Sequence, residues 1–298
     1  MKKIFLFICL SLYLFCCSNN RGEKTLLESK EDITIDFQLE QGRIVLYAKI
    51  NDMDSLRFML DNGATATVFD SDFWSSFENT SESHIIKESS RLSTYFCPTS
   101  IALSKYIYSI DTVYIASKDY SDNHFSSLFL NGMIGVELFY KKVVSIDFEH
   151  HKIHISDQLP ENIQNYKKYD MISSYKQDEP SYSKFRFLTL DGLYNKKGEA
   201  VSSNFFIDLG CVTNNIDCPF CDNFDMEKSK EMSKDTNSIM YALLNKYPMI
   251  ETVYMDATSD TMHIDHFKSG VIGIDFLKHF NVIFDYPHNK LYLKPIKQ

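Results

Sequence analysis

The chain has no long run of basic residues, and its 298 residues carry a formal charge of −9. A surface of that sign does not collect phosphates, which excludes nucleic acid and anionic lipid headgroups as principal partners. It also lacks an internal apolar run of membrane-spanning length. The N-terminal run, Ile4 to Phe15, falls short of the roughly 20 residues that a spanning helix needs. Long helical patterns are scarce. Cysteine is sparse too: of seven, Cys9, Cys16 and Cys17 lie in the first 17 residues, leaving Cys97, Cys211, Cys218 and Cys221. Zinc takes about four ligands, and only Cys211 lies near the C-P-F-C of Cys218 to Cys221. A redox C-x-x-C opens a helix after a strand, a pattern missing here. In an oxidising compartment those thiols point instead to a structural disulfide or to buried thiols. What the chain does have is 44% apolar residues and 14% aromatics, with 23 Phe and 18 Tyr. That is a globular composition with a β lean, long enough for one large domain or two modest ones.

The first residues read as a targeting device. Lys2 and Lys3 give a basic start before the short apolar run. The run ends in L-F-C-C-S, Leu14 to Ser18, which resembles the end of bacterial lipoprotein signals. The resemblance implies a signal over 1–17, cleavage before Cys17 and a diacylglyceryl anchor on Cys17. The product would be an exported protein held in the bacterial cell envelope. Cys16 is the alternative lipid site, and an ordinary secretory signal is the other reading. Residues 18–32 are a polar tether.

An internal repeat organises the rest. G-M-I-G-V-E-L-F-Y-K-K-V-V-S-I-D-F-E-H-H-K-I-H-I, from Gly132, aligns without a gap on G-V-I-G-I-D-F-L-K-H-F-N-V-I-F-D-Y-P-H-N-K-L-Y-L, from Gly270. Gly132, Ile134, Gly135, Val144, Asp147, His150 and Lys152 are matched by Gly270, Ile272, Gly273, Val282, Asp285, His288 and Lys290. Upstream, S-L-R-F-M-L-D-N-G-A at 55–64 is echoed by S-S-N-F-F-I-D-L-G-C at 202–211. Each half therefore runs hairpin, Asp-x-Gly-small, a long middle, G-x-I-G, short helix, final hairpin. Alternating segments such as Tyr106 to Ala116 read as strands, and Glu227 to Lys234 as a charged loop helix. The boundaries expected are a first lobe at 33–157, a linker with its leading strand at 158–179, and a second lobe at 180–298.

With both Asp-x-Gly copies and both G-x-I-G copies in this order, the sequence resembles the bacterial aspartic peptidase-like proteins of the pepsin and retropepsin group. Gly270 to Leu277, G-V-I-G-I-D-F-L, and Phe284 to Tyr286, F-D-Y, are close to that family's pattern, and the first half is a looser copy. The resemblance covers nearly all of the chain beyond the signal. It implies an all-β, bilobal fold of two six-stranded lobes about a pseudo-two-fold axis. Asp61 and Asp208 would meet in a cleft between the lobes, with Ile134, Gly135, Ile272 and Gly273 behind them. A flap is expected within Ser93 to Ser109, and a vestigial one within Ile239 to Ala257.

Two carboxylates held together share one proton, a behaviour for which aspartic proteases are the standard illustration. The ionised Asp activates a water and the protonated one donates to the scissile carbonyl. No metal or cofactor is called for. Gly63 and Gly210 let the backbone pass beneath the carboxylates. The family places Thr or Ser after each Asp to brace the loops, whereas this chain has Asn62 and Leu209. Asn can donate and accept; Leu can do neither. Ala64 follows the family pattern, and Cys211 is a small substitute. The function implied is an aspartic endopeptidase acting on peptide or unfolded protein. The alternative is a non-catalytic pepsin-like lipoprotein that binds peptide or another ligand. One chain supplies both halves of the cleft, so a monomer is expected. H-H-K-I-H at His150 to His154 alternates along a strand and reads as hairpin rather than metal site. Asp147 and Asp285 read as turn residues, Glu137 and Asp275 as helix caps, and Phe73 and Trp74 as core.

Overall fold

The computed structural model describes residues 33–77, 83–173, 185–217, 224–247, 249–252 and 270–297. Strands form where apolar residues alternate with polar ones. In β1 (Ile33–Asp36), Ile33 and Ile35 are buried while Thr34 and Asp36 face solvent. The first half continues through β2 (Gln38–Glu40), β3 (Arg43–Ile50), β4 (Met53–Leu60), β5 (Val68–Phe69) and helix α1 (Ser71–Phe77). Then come β6 (His84–Lys87), β7 (Leu92–Leu103), β8 (Tyr106–Ala116), α2 (Lys118–His124), β9 (Gly132–Ile134), β10 (Val143–Asp147) and β11 (Lys152–Ser156). The second half holds β12 (Lys167–Ser173), β13 (Arg186–Tyr194), β14 (Ala200–Ile207) and β15 (Asn215–Asp217). It ends with α3 (Met226–Met232), α4 (Ile239–Asn245), β16 (Ile250–Thr252), β17 (Gly270–Ile272), α5 (Ile274–Leu277), β18 (Phe280–Asp285) and β19 (Lys290–Pro295).

These strands make an all-β, bilobal molecule of two sheets. Eight strands lie in the order β2-β3-β4-β9-β5-β8-β7-β6, and β3 also pairs with β7. Eleven lie in the order β1-β11-β10-β18-β19-β12-β13-β14-β17-β15-β16. The division is therefore not two separate six-stranded lobes: the larger sheet takes strands from both halves. Its centre is the antiparallel pair β10–β18, in which Ser145 faces Ile283, its own counterpart in the sequence repeat. Val144 faces Phe284 and Ile146 faces Val282 on either side. A pseudo-two-fold axis passes through that pair. Outward from it, β11 meets β1 as β19 meets β12, with Ile33 opposite Ile155 and Lys167 opposite Leu293. The strand leading from the expected linker is thus the second half's equivalent of β1. One apolar cluster runs through both halves, from Ile33 and Phe58 to Phe205 and Phe284. Phe73 and Trp74 belong to it, against Phe69, Phe77 and Tyr95.

The Asp-bearing strands are held by the G-x-I-G blocks. Strand β4 runs parallel to β9, pairing Phe58 with Gly132 and Leu60 with Ile134. Strand β14 runs parallel to β17 with the same register, Phe205 to Gly270 and Ile207 to Ile272. A side chain at Gly132 would collide with the Val68 carbonyl, and one at Gly270 with the Asn215 carbonyl. Only glycine lets these strands close, and Gly132 also has φ +146.

One expectation needs correcting. Glu137 and Asp275 lie in the first turns of the short helices, but neither caps them: Gly135 and Gly273 occupy the cap positions without a side-chain bond. Glu137 instead receives the backbone N–H and hydroxyl of Thr67. Asp275 pairs with Lys278 at 2.7 Å. The region where a second flap was expected holds α4 and β16, and its remainder falls outside the described residues. Asp147 and Asp285 do close hairpin turns, accepting from the backbone of His150 and His288. Across those turns His151 and Asn289 take matching left-handed conformations, φ 54 and φ 53.

Gly132→Ala and Gly270→Ala are each expected to cost about 1–3 kcal/mol or more, read as a fall in the urea midpoint. A midpoint unchanged in both variants would refute the close approach of β4 to β9 and of β14 to β17.

Candidate active site

Asp61 and Asp208 leave their strands by the same route. The Asp61 N–H donates to the Ile134 carbonyl at 2.9 Å and the Asp208 N–H to the Ile272 carbonyl at 3.0 Å. Both loops are tied down again three residues later. Val136 N–H donates to Ala64 O, and Ile274 N–H to Cys211 O, each at 2.9 Å. Inside each loop the carboxylate accepts from the backbone: from Gly63 at 2.7 Å and Ala64 at 3.1 Å for Asp61, from Gly210 at 2.8 Å for Asp208. A Cβ on Gly63 would sit 2.8 Å from Asp208 Oδ1, and one on Gly210 would sit 2.5 Å from Asp61 Oδ2. Each carboxylate therefore lies over the glycine of the opposite loop, and the two are within hydrogen-bonding reach of one another. Gly135 and Gly273 lie behind them, where any side chain would strike the loop backbone at Ala66 and Thr213.

The brace between the loops is one-sided. The Asn62 carboxamide, fully buried, donates through Nδ2 to the Ile207 carbonyl at 2.7 Å and accepts at Oδ1 from the Leu209 N–H at 2.7 Å. One side chain thus grips the opposite loop on both sides of Asp208. Leu209 makes no polar contact of its own side chain and fills the interior, with no exposed surface. The brace expected to fail at Leu209 is supplied whole from Asn62, using a donor and an acceptor where a hydroxyl would use one atom. Behind it, the Tyr286 hydroxyl lies beside the carboxamide without meeting hydrogen-bond geometry, and the Arg186 guanidinium covers the Tyr286 ring at 4.7 Å.

Burial raises the Asp61 carboxyl well above the usual carboxylate range, and the negative charge of Asp208 adds to it, against the lowering effect of the Gly63 and Ala64 N–H groups. The pair accordingly holds a shared proton to higher pH than a lone Asp. Cys211 is no nucleophile: burial first, then the Asp208 charge, pushes its thiol to about 11, and it donates to the Thr213 carbonyl at 3.2 Å.

The hairpin β7–β8 that carries Ser93 to Ser109 turns at Ser104–Lys105, and the Tyr106 phenol beside that turn faces Asp157. The turn at Glu88–Arg91 lies between β6 and β7. Ser117 N–H donates to the Arg91 carbonyl at 2.7 Å, and α2 starts at the next residue. From α2, Tyr120 stands in the field of Asp61, Arg91 and Asp208. Sequence reasoning passed over Tyr120, Arg91, Tyr286 and Thr67. Only the position of Thr67 ahead of a strand, and of Tyr286 in the F-D-Y motif, offered any signal. The cluster Asp147, Glu149 and His150 is an exposed hairpin turn. Cys17, Cys218 and Cys221 lie outside the described residues.

Two outcomes follow. Asn62→Leu leaves the buried Ile207 carbonyl and Leu209 N–H without partners, at about 1–3 kcal/mol each; urea unfolding equal to wild type would refute the brace. For Asp61, a raised folded-state pKa means that the folded state binds more protons than the unfolded chain above the ordinary Asp range. Stability therefore falls as pH rises through that window and levels off above it. Asp61→Asn is expected to remove this fall, ending more stable than wild type at neutral pH and converging with it below about pH 4. Parallel curves across the range would show that the Asp61 carboxyl is not raised in the folded state.

No protein-family model matches the chain, and no curated protein matches it in sequence. Among solved structures it is similar to an aspartic proteinase from Irpex lacteus, at 12% identity and a TM-score of 0.51, over 90% of this chain and 98% of that one. At that identity the likeness shows the fold, which is pepsin-like.

Proposed function

We propose that this protein is an aspartic endopeptidase that hydrolyses peptide or unfolded protein with Asp61 and Asp208 as its dyad. The observation that carries the reading is the crossed arrangement of the loops, each carboxylate over the other's glycine, with Asn62 clamping the pair. A water between the carboxyls loses a proton to the ionised one as its oxygen attacks the scissile carbonyl. The protonated carboxyl donates to the carbonyl oxygen, and a tetrahedral diol forms. Collapse of the diol returns a proton to the leaving amine and leaves the dyad ready for a second water. The step uses the two carboxyls alone. Preorganisation comes from the loop N–H groups and the brace, because carboxyls that wander lose effective concentration steeply.

The second reading, a pepsin-like shell that binds peptide without cutting, draws on Leu209, an apolar residue where the family resemblance implies a second hydroxyl. In either case we place the protein at the cell envelope, exported and anchored through Cys17, on the strength of L-F-C-C-S.

Digestion of an unfolded protein by the mature chain from acid to neutral pH separates the readings. Wild type is expected to give a bell-shaped profile, its upper limb displaced toward neutral by the raised Asp61 carboxyl. Asp61→Asn and Asp208→Asn are each expected to lose roughly 10²–10⁴-fold in rate. Cleavage equal in wild type and both variants would eliminate the dyad.

A further inference from the structure

The two Asp loops are secured by different chemistry. Each is laced to its G-x-I-G block by two matching backbone bonds. The Asp N–H donates to the Ile134 or Ile272 carbonyl, and the Val136 or Ile274 N–H to the Ala64 or Cys211 carbonyl. The third tie does not match. In the second half it is neutral: the Asn214 carboxamide accepts from the Gly273 N–H at 3.0 Å, and the Asp275 N–H donates to the Val212 carbonyl at 2.8 Å. In the first half the third tie is a carboxylate. Glu137 Oε1 accepts from the Thr67 N–H at 2.5 Å and from the Thr67 hydroxyl as well.

Thr67 stands where the Asp61 loop ends and the two-residue strand β5 begins. It has no exposed surface, and its carbonyl accepts from the Tyr114 N–H of β8 at 3.2 Å, so each of its polar groups is engaged. The second oxygen of Glu137 lies over Gly135. A Cβ on Gly135 would sit 2.6 Å from that Oε2 and 2.5 Å from the Ala66 carbonyl. The missing side chain is therefore what lets the carboxylate lie against the loop. From β8, the phenols of Tyr108 and Tyr114 face Glu137, whose charge adds to the burial that raises both. Asp275, at the same place in the repeat, turns its side chain outward to Lys278 at 2.7 Å and is 42% exposed.

We propose that Glu137 is a positioning residue for the dyad: its carboxylate fixes the far end of the Asp61 loop and, through the loop, the place of the Asp61 carboxyl against Asp208. Glu137 touches no reacting atom. Its two bonds to Thr67 are charge-assisted, which makes this tie stronger than the neutral one in the second half. Without it the loop is held to its block by the two backbone bonds alone, and Asp61 drifts from Asp208. The carboxyls then repel less, the shared proton is held less firmly, and a displacement of that kind costs rate steeply. The effect on rate rests on the peptidase reading; the effect on the carboxyl pair does not.

Glu137→Ala, Glu137→Gln and the control Asp275→Ala test it in the mature chain, each with and without Asp61→Asn. The first readout is cleavage of an unfolded protein. Glu137→Ala is expected to lower kcat about ten- to a hundredfold while KM stays within about twofold of wild type. Glu137→Gln keeps an acceptor without the charge and retains part of the rate, and Asp275→Ala stays within about twofold. The second readout needs no turnover. The rise in urea midpoint that Asp61→Asn brings at neutral pH measures how far the pair raises Asp61. That rise is expected to shrink by about half or more on the Glu137→Ala background, by less on Glu137→Gln, and to keep its wild-type size on Asp275→Ala. A purely structural Glu137 would lower every midpoint and leave the rise intact, which overturns the proposal. A loss of kcat shared equally by Asp275→Ala, or a raised KM at unchanged kcat, overturns it too. Where Glu137→Ala does not fold, Glu137→Gln decides on the same terms. A shrunken rise with no cleavage by wild type sustains the positioning role and removes the peptidase reading. Cleavage by wild type that neither Glu137 variant alters does the reverse.

Discussion

Two carboxyls, only one of which can ionise cheaply, are held in contact here by one buried carboxamide. Asp61 and Asp208 come from loops far apart in the chain, and their carboxyls repel when both are ionised. Nothing in either loop alone would keep them together. Asn62 does so by reaching across the axis to the Ile207 carbonyl and the Leu209 N–H, the backbone groups on either side of Asp208. Both groups are interior and would otherwise be left without partners. Moving the loops apart therefore breaks two buried hydrogen bonds, while bringing them together raises a carboxyl pKa. The dyad's geometry is the balance of these two terms.

That brace works only on a frame that places the loops face to face, and the frame is the self-complementary pairing of β10 with β18. Because Ser145 faces its own repeat counterpart, every element outward from the axis is positioned twice. Among the described residues the halves diverge between the Asp loop and the G-x-I-G block. Both halves keep a parallel pair there, β5 with β8 and β15 with β16, but the first half adds α1, β6, β7 and α2, whereas the second has α3 and α4 among its described residues. The brace diverges too, polar at Asn62 and apolar at Leu209. Symmetry is kept in the strands and glycines that carry the two carboxyls and is given up in the side chains that brace them.

The fold was legible because duplication leaves marks that packing cannot erase. Gly132, Gly135, Gly270 and Gly273 are required where backbone passes against backbone, and Asp61 and Asp208 end strands that pair with those blocks in the same register. A flap was harder to read because the three strands β6, β7 and β8 alternate in the same way, and both E-S-S-R and S-K are plausible turns; alternation says where a turn is, not which turn faces the site. Asn62 was recognised as able to donate and accept, but its sufficiency depends on two groups more than a hundred residues away. Glu137 looked like a cap because it opens a short helix. Its carboxylate turns instead to Thr67, whose hydroxyl and N–H together outbid a helix end.

The one-sided brace also explains why an apolar residue is tolerated at Leu209. A second polar side chain there would need its own buried partners from the Asn62 loop, and each one left unmet would cost more than the contact returned. Leucine avoids that cost and adds apolar burial beneath Asp208. The same interior that makes Leu209 favourable desolvates the carboxyls and lifts Asp61. The buried Leu209 and the raised Asp61 carboxyl are both consequences of burial at this loop.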